Sequence, residues 1–173
     1  MFRFQKLRSL VIAASLVLGL QAPPATAVVN PAQPSSEALS AAAALATGKS
    51  TIEFSPDLVT QLGYRPTQGA RLPENPTGSC SSPVALPESF EPACRVHDLG
   101  YDLLRVAHRN GNYIPEDIRR DLDSQLARQM RESCASEGCN VMASAAHVAV
   151  GLNSLRQGYG APVEEKWLAW LPW

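Results

Sequence analysis

The chain lacks an apolar run long enough to cross a bilayer. Its longest, residues 10–20, is about half of the ~20 residues that a membrane-spanning helix needs. A basic excess is also missing: 15 Lys and Arg stand against 16 Asp and Glu, a formal net charge of −1. Such a surface has no general attraction to nucleic acid or to an anionic membrane. No internal repeat appears, which excludes the repeat architectures and leaves one modest core. No stretch sustains the every-other-residue apolar pattern of a strand, so the expected class is all-α. No Cys/His spacing matches a zinc finger, and the cysteines read as disulfides instead.

What is present begins with a signal for export. Arg3, Lys6 and Arg8 precede the apolar run, Pro23 and Pro24 break it, and Ala25-Thr26-Ala27 offers the small residues that signal peptidase reads. Residues 1–27 are expected to be a signal peptide, with a secreted chain starting near Val28. Removing the three basic residues of that segment leaves 12 basic against 16 acidic, a net charge of −4. Lipid contact then has to be apolar or bridged by calcium. All four cysteines, Cys80, Cys94, Cys134 and Cys139, lie beyond the signal. An even number in an exported chain argues for disulfides, and four cysteines allow three pairings. Cys80–Cys94 and Cys134–Cys139 are favoured because each pair is local in sequence.

Residues 28–35 read as a loose leader. A short alanine-rich helix fits between Ser36, an N-cap, and Gly48, a stop. A second follows Ser55-Pro56 and ends at Gly63. The stretch from Tyr64 to Pro92, with Pro73, Pro76, Pro83 and Pro87 inside it, is expected to be irregular. Three longer helices should come next: about 92–109, stopped by Asn110-Gly111; 115–132, opened by Pro115-Glu116-Asp117; and 140–157. In the middle one Ile118, Leu122, Leu126 and Met130 recur every four residues along one face. The organisation expected is therefore signal peptide (1–27), leader with short helices (28–62), helical core (63–160) and Trp-rich tail (161–173).

The informative segment is Cys94-Arg95-Val96-His97-Asp98-Leu99-Gly100-Tyr101. On a helix, His97 and Tyr101 share a face, and Asp98 sits beside the imidazole. Cys94, one turn earlier, would anchor this helix to the loop before it. The pattern Cys-x-x-His-Asp-x-x-Tyr resembles the signature of secreted phospholipases A2. The order around it, a Ser-Cys-Ser-Ser-Pro loop, a Phe before Pro-Ala-Cys, then His-Asp-Leu-Gly-Tyr, is similar to the compact bacterial branch. The likeness covers about residues 75–140.

The resemblance implies a disulfide-stabilised all-α domain whose antiparallel helix pair carries the site. It implies a calcium-dependent hydrolase that cleaves the sn-2 ester of glycerophospholipids in a membrane or micelle. His97 would activate water, and Asp98 would hold Ca2+; the carbonyls of Gly78 and Ser79 are this chain's own candidates for further ligands. An aspartate on the next helix would orient His97. Asp117, Asp121 and Asp123 are candidates, and Asp123 fits best because Leu122-Asp123-Ser124-Gln125-Leu126 resembles the family's segment there. The chemistry is coherent: a neutral imidazole takes a proton from water, and a carboxylate on its other nitrogen stabilises the imidazolium.

One departure concerns the metal. Bacterial members carry an aspartate two residues before the loop cysteine, where this chain has Gly78. One carboxylate with backbone carbonyls and waters makes a weaker calcium site than the six to eight oxygens the ion favours. A catalytically weak or inactive relative that binds lipid or protein through the same groove is the alternative. Tyr101 suits either orienting the dyad or filling the core. Asp102 is expected to be solvated, and His108 and His147 to be structural. Trp167, Trp170 and Trp173 suit a membrane interface or the domain's own apolar surface. A monomer is the expectation, without nucleic acid and without a transmembrane helix in the mature chain.

Overall fold

The first helix begins where a serine can cap it. In the computed structural model, which describes residues 36–163, Ser36 accepts a hydrogen bond from the Leu39 N–H and opens α1, Glu37–Ala46. The expected signal peptide, the leader before Ser36 and the tail from 164 onward lie outside the described residues. By its contacts the chain divides into Met1–Ala32 and Gln33–Trp173, and the described residues all belong to the second unit.

Ser55 caps α2, Pro56–Leu62, in the same way, with Pro56 in the first turn and Gly63 ending the helix in the left-handed region at φ 81°. Ser55 also ties the two helices together, because its N–H and its hydroxyl both donate to the Glu37 carboxylate. The proline-rich stretch that follows is not wholly irregular. Thr67–Gln68 (β1) and Pro73–Glu74 (β2) form a minimal antiparallel ladder, with Thr67 opposite Glu74 and Gln68 opposite Pro73. Pro73 is tolerated because a two-stranded ladder consists only of edges. A single 3-10 turn, Glu88–Phe90, leads into α3, Glu91–Arg109.

After the stop at Asn110-Gly111 comes α4, Glu116–Glu132, with Glu116 and Asp117 complementing the dipole of its first turn. The last helix, α5, is Glu137–Arg156. It starts a turn earlier than the sequence suggested, because Ser136 accepts from the Cys139 N–H and Glu137 occupies the first turn. Both disulfides pair as expected, Cys80 with Cys94 and Cys134 with Cys139. Among the described residues no helix is long and apolar enough to cross a membrane.

The buried side chains form two clusters. One joins α1, α2, α3 and the start of α4 through Ala42, Leu45, Leu58, Leu99, Leu103 and Leu122. Residues 36–62 are therefore part of the core, and no structural break falls at the boundary expected after Leu62. The other cluster gathers Phe90, Ala93, Leu126, Met130 and Ala143 around the two disulfides.

α3 and α4 run antiparallel and close together at Gly100. A Cβ there would lie 2.5 Å from Leu122 Cδ2, which real packing does not allow. Overpacking typically costs about 1–3 kcal/mol, against the ~1 kcal/mol that alanine gains over glycine within a helix. Gly100→Ala is accordingly expected to lower stability by about 1 kcal/mol net, read from the midpoint of chemical denaturation.

Candidate functional site

The close approach of α3 and α4 brings an imidazole onto a buried carboxylate. His97 Nε2 lies 2.9 Å from Asp123 Oδ1, across the helix pair and 26 residues on in sequence. Two hydroxyls complete the cradle. Tyr101, one turn after His97, donates to the same Oδ1 at 2.7 Å, and Ser154 of α5 donates to Oδ2 at 2.6 Å. Each hydroxyl has one proton and gives it to Asp123. The 3.1 Å contact between Tyr101 and Ser154 therefore carries a hydrogen bond only when one of them turns away. The Tyr101 ring also packs on the imidazole, with centroids 4.0 Å apart.

Burial alone would push the Asp123 carboxyl up. The His97 hydrogen bond and charge, with the hydroxyls of Ser154 and Tyr101, outweigh it and hold Asp123 below the usual carboxylate range. Tyr101 moves the other way, raised first by burial and then by the Asp123 charge. With Asp123 ionised, Nε2 keeps its proton and donates it, and Nδ1 keeps a lone pair. Among the described residues Nδ1 has no hydrogen-bond partner. This is the arrangement of a general base.

Of the three candidate aspartates, Asp123 alone meets His97; Asp117 and Asp121 are exposed on the outer face of α4. Tyr101 both packs in the core and bonds the Asp123 carboxylate. Ser154 and Arg119 were not anticipated. Arg119, fully buried on α4 one turn before Asp123, places its guanidinium 5.0 Å from the centre of the Tyr101 ring. Its Nη atoms donate to the Gly160 carbonyl and to Gln157 Oε1, tying the turn after α5 to the site. The four-residue spacing from Asp123 was a signal for Arg119. Ser154, between Asn153 and Leu155 with no motif around it, gave none.

Asp98 points the other way along α3, toward the loop. A row of α3 side chains spaced at helical intervals receives that loop. The Cys80 N–H donates to Glu91, the Arg95 guanidinium to Glu74, the Ser79 N–H to Asp98 Oδ2 at 2.9 Å, and the Asn75 amide to Asp102. Asp102 is not solvated as expected: it also accepts from the Tyr64 hydroxyl at 2.7 Å and from Arg105 at 2.6 Å. Burial raises the Asp98 carboxyl, an effect that the His97 charge and the Ser79 N–H only partly offset.

The donors placed here do not fit calcium. The loop meets the carboxylates of Glu91 and Asp98 with backbone N–H groups rather than with oxygens. The oxygens of Asp102 are taken by neutral and cationic donors. Gly78 brings no side chain, and a Cβ on it would lie 2.7 Å from Asp98 Oδ2. Among the described residues no group of three or more His, Cys, Asp or Glu could hold a metal ion. Two hollows of about 190 and 210 Å3 flank α4 beside Leu72 and Gln129, and His97 lines neither.

Comparison with protein-family models, curated proteins and solved structures found no match.

Proposed function

We propose that this chain is an exported phospholipase A2-like hydrolase that cleaves the sn-2 ester of glycerophospholipids with water activated by His97. The observation that carries the reading is the 2.9 Å bond between His97 Nε2 and the buried Asp123 carboxylate, at the positions the resemblance assigns to the catalytic pair. The Cys80–Cys94 disulfide and the export-type N-terminus of the sequence support secretion.

In this reading a water proton passes to His97 Nδ1 as the water oxygen bonds to the ester carbonyl carbon. Asp123 stabilises the imidazolium that forms, and the Tyr101 and Ser154 hydroxyls keep Asp123 ionised and still. When the ester C–O bond breaks, Nδ1 returns the proton to the leaving glyceryl oxygen. Calcium at Asp98, which the resemblance implies, enters no step, because the donors around Asp98 fall short of a site for it.

That shortfall favours a second reading, a catalytically weak or inactive lipid- or protein-binding module on the same scaffold. Fatty-acid release from phospholipid vesicles separates the two, with His97→Ala as the control. The hydrolase reading expects release that falls at least about 100-fold in the variant. Vesicle binding without release supports the module. Release that stops on adding a chelator means that the Gly78–Ser79 loop recruits a cation with oxygens from elsewhere.

A further inference from the structure

α5 has two apolar sides, and only one of them is covered. Met142, Ala146 and Val150 pack inward against the cluster of Phe90, Leu126 and Met130. On the outer side Val141, Ala145, Val148, Leu152 and Leu155 follow at intervals of four, three, four and three residues, the spacing of a single helical stripe. All five are exposed, Val141 by 67 % and Leu155 by 59 %. Between Glu137 and Arg156 the helix has no charged residue at all. A helix apolar on both sides belongs between two partners, and a contiguous apolar stripe in water marks a contact surface.

We propose that the chain's own last ten residues, Glu164 to Trp173, cover this stripe. The root of that segment is in place beside the helix. The Val163 N–H donates to Gln157 Oε1, immediately after α5, and the chain between is pinned by Arg119 on Gly160 and by Arg105 on Pro162. From there ten residues reach about 33 Å when extended, and the stripe from Leu155 back to Val141 spans roughly 21 Å at the helical rise. The chemistry matches. Glu164, Glu165 and Lys166 lie at the root, and the remaining seven residues include three indoles, two leucines and no charged side chain. Tethering gives such a segment an effective concentration in about the millimolar range. A second copy of the chain or a lipid surface has to compete with that. The cover would lie on the far side of the helix that supplies Ser154 to Asp123. It is independent of whether any ester is cut.

The experiment has a built-in reporter, because all three tryptophans of the chain lie in this segment. Tryptophan emission is recorded on the purified full chain, dilute and free of lipid. The expected emission lies to the blue of N-acetyltryptophanamide and holds its position on serial dilution. Val148→Lys combined with Leu152→Lys shifts it toward the free amide while leaving the helical circular dichroism unchanged, since neither side chain belongs to the buried core of the helices. Val84→Lys, at an exposed valine of the long loop, leaves it where it was. Should the lysines disturb the helix, Val141→Gln with Leu155→Gln makes the same test. Emission equal to the free amide overturns the proposal, and so does blue emission indifferent to both pairs. A blue shift that fades on dilution assigns the stripe to a second copy. One that appears only with phosphatidylcholine vesicles assigns it to a lipid surface. Either result also overturns the proposal.

Discussion

Asp123→Ala is expected to cost the fold roughly 3–5 kcal/mol at neutral pH and the proposed turnover about 10^3- to 10^4-fold. The carboxylate is almost fully buried and accepts from His97, Tyr101 and Ser154. Removing it strands the imidazole N–H and one of the two hydroxyl protons away from water. The other hydroxyl can turn to its neighbour across the 3.1 Å contact of Tyr101 and Ser154. The desolvation penalty of the stranded donors exceeds the worth of any single bond. The effect has a pH signature. Asp123 is held below the usual carboxylate range in the folded chain, so the folded state binds the ionised form more tightly than the unfolded state does. Its contribution is fully present above the ordinary value of about 3.9 and fades as pH falls through the lower, folded one. Urea denaturation of the two proteins in parallel should therefore show a wide gap at pH 7 that narrows below about pH 4. A gap that stays constant would mean that folding leaves the Asp123 carboxyl unshifted, and one that narrows as pH rises would mean that it is protonated in the fold.

The second large effect concerns the loop that lies along α3. Replacing Cys80 and Cys94 together with serine is expected to cost about 3 kcal/mol, from the entropy of a 15-residue closed loop. The same relation gives about 2 kcal/mol for Cys134 with Cys139, which closes only six residues. The first loss should spread further than its size suggests. The disulfide holds Ser79 against Asp98 and lies near the Glu74–Arg95 pair, so its removal frees a segment with few apolar anchors. Limited proteolysis is expected to cut the double variant first between about residues 76 and 87, and the Cys134/Cys139 variant not there. Equal stability losses from the two pairs would point to strain or residual structure instead of loop entropy.

The helices were legible in the sequence wherever their ends are local chemistry. Ser36, Ser55 and Pro56, and the glycines at 48, 63 and 111, mark boundaries that the fold respects within a residue or two. The start of α5 was displaced because Ser136-Glu137 is as good a cap as any of these but lies inside the Cys134–Cys139 loop, where the eye reads a turn. The small ladder at Thr67–Gln68 and Pro73–Glu74 was illegible, since two residues cannot display a period. In the site, His97 and Asp123 were within reach because a spacing of 26 residues across one turn is a property of an antiparallel pair. Ser154 was out of reach: it comes from a third helix, and only packing decides which residue of that helix faces in. Asp102 failed for a similar reason. Its partners Tyr64 and Asn75 arrive from a loop whose path no periodicity fixes.

Among the three long helices, α5 is the least committed to the interior, with Ala143 and Ser154 its only buried residues. Sub-global opening starts from the elements that bury least. The Asp123 carboxylate thus hangs between two regimes. Its bonds to His97 and Tyr101 come from α3, rich in buried residues, and its bond to Ser154 comes from the long helix that buries least. Hydrogen exchange is expected to show α5 opening first, an event in which Oδ2 would meet water while Oδ1 stays gripped.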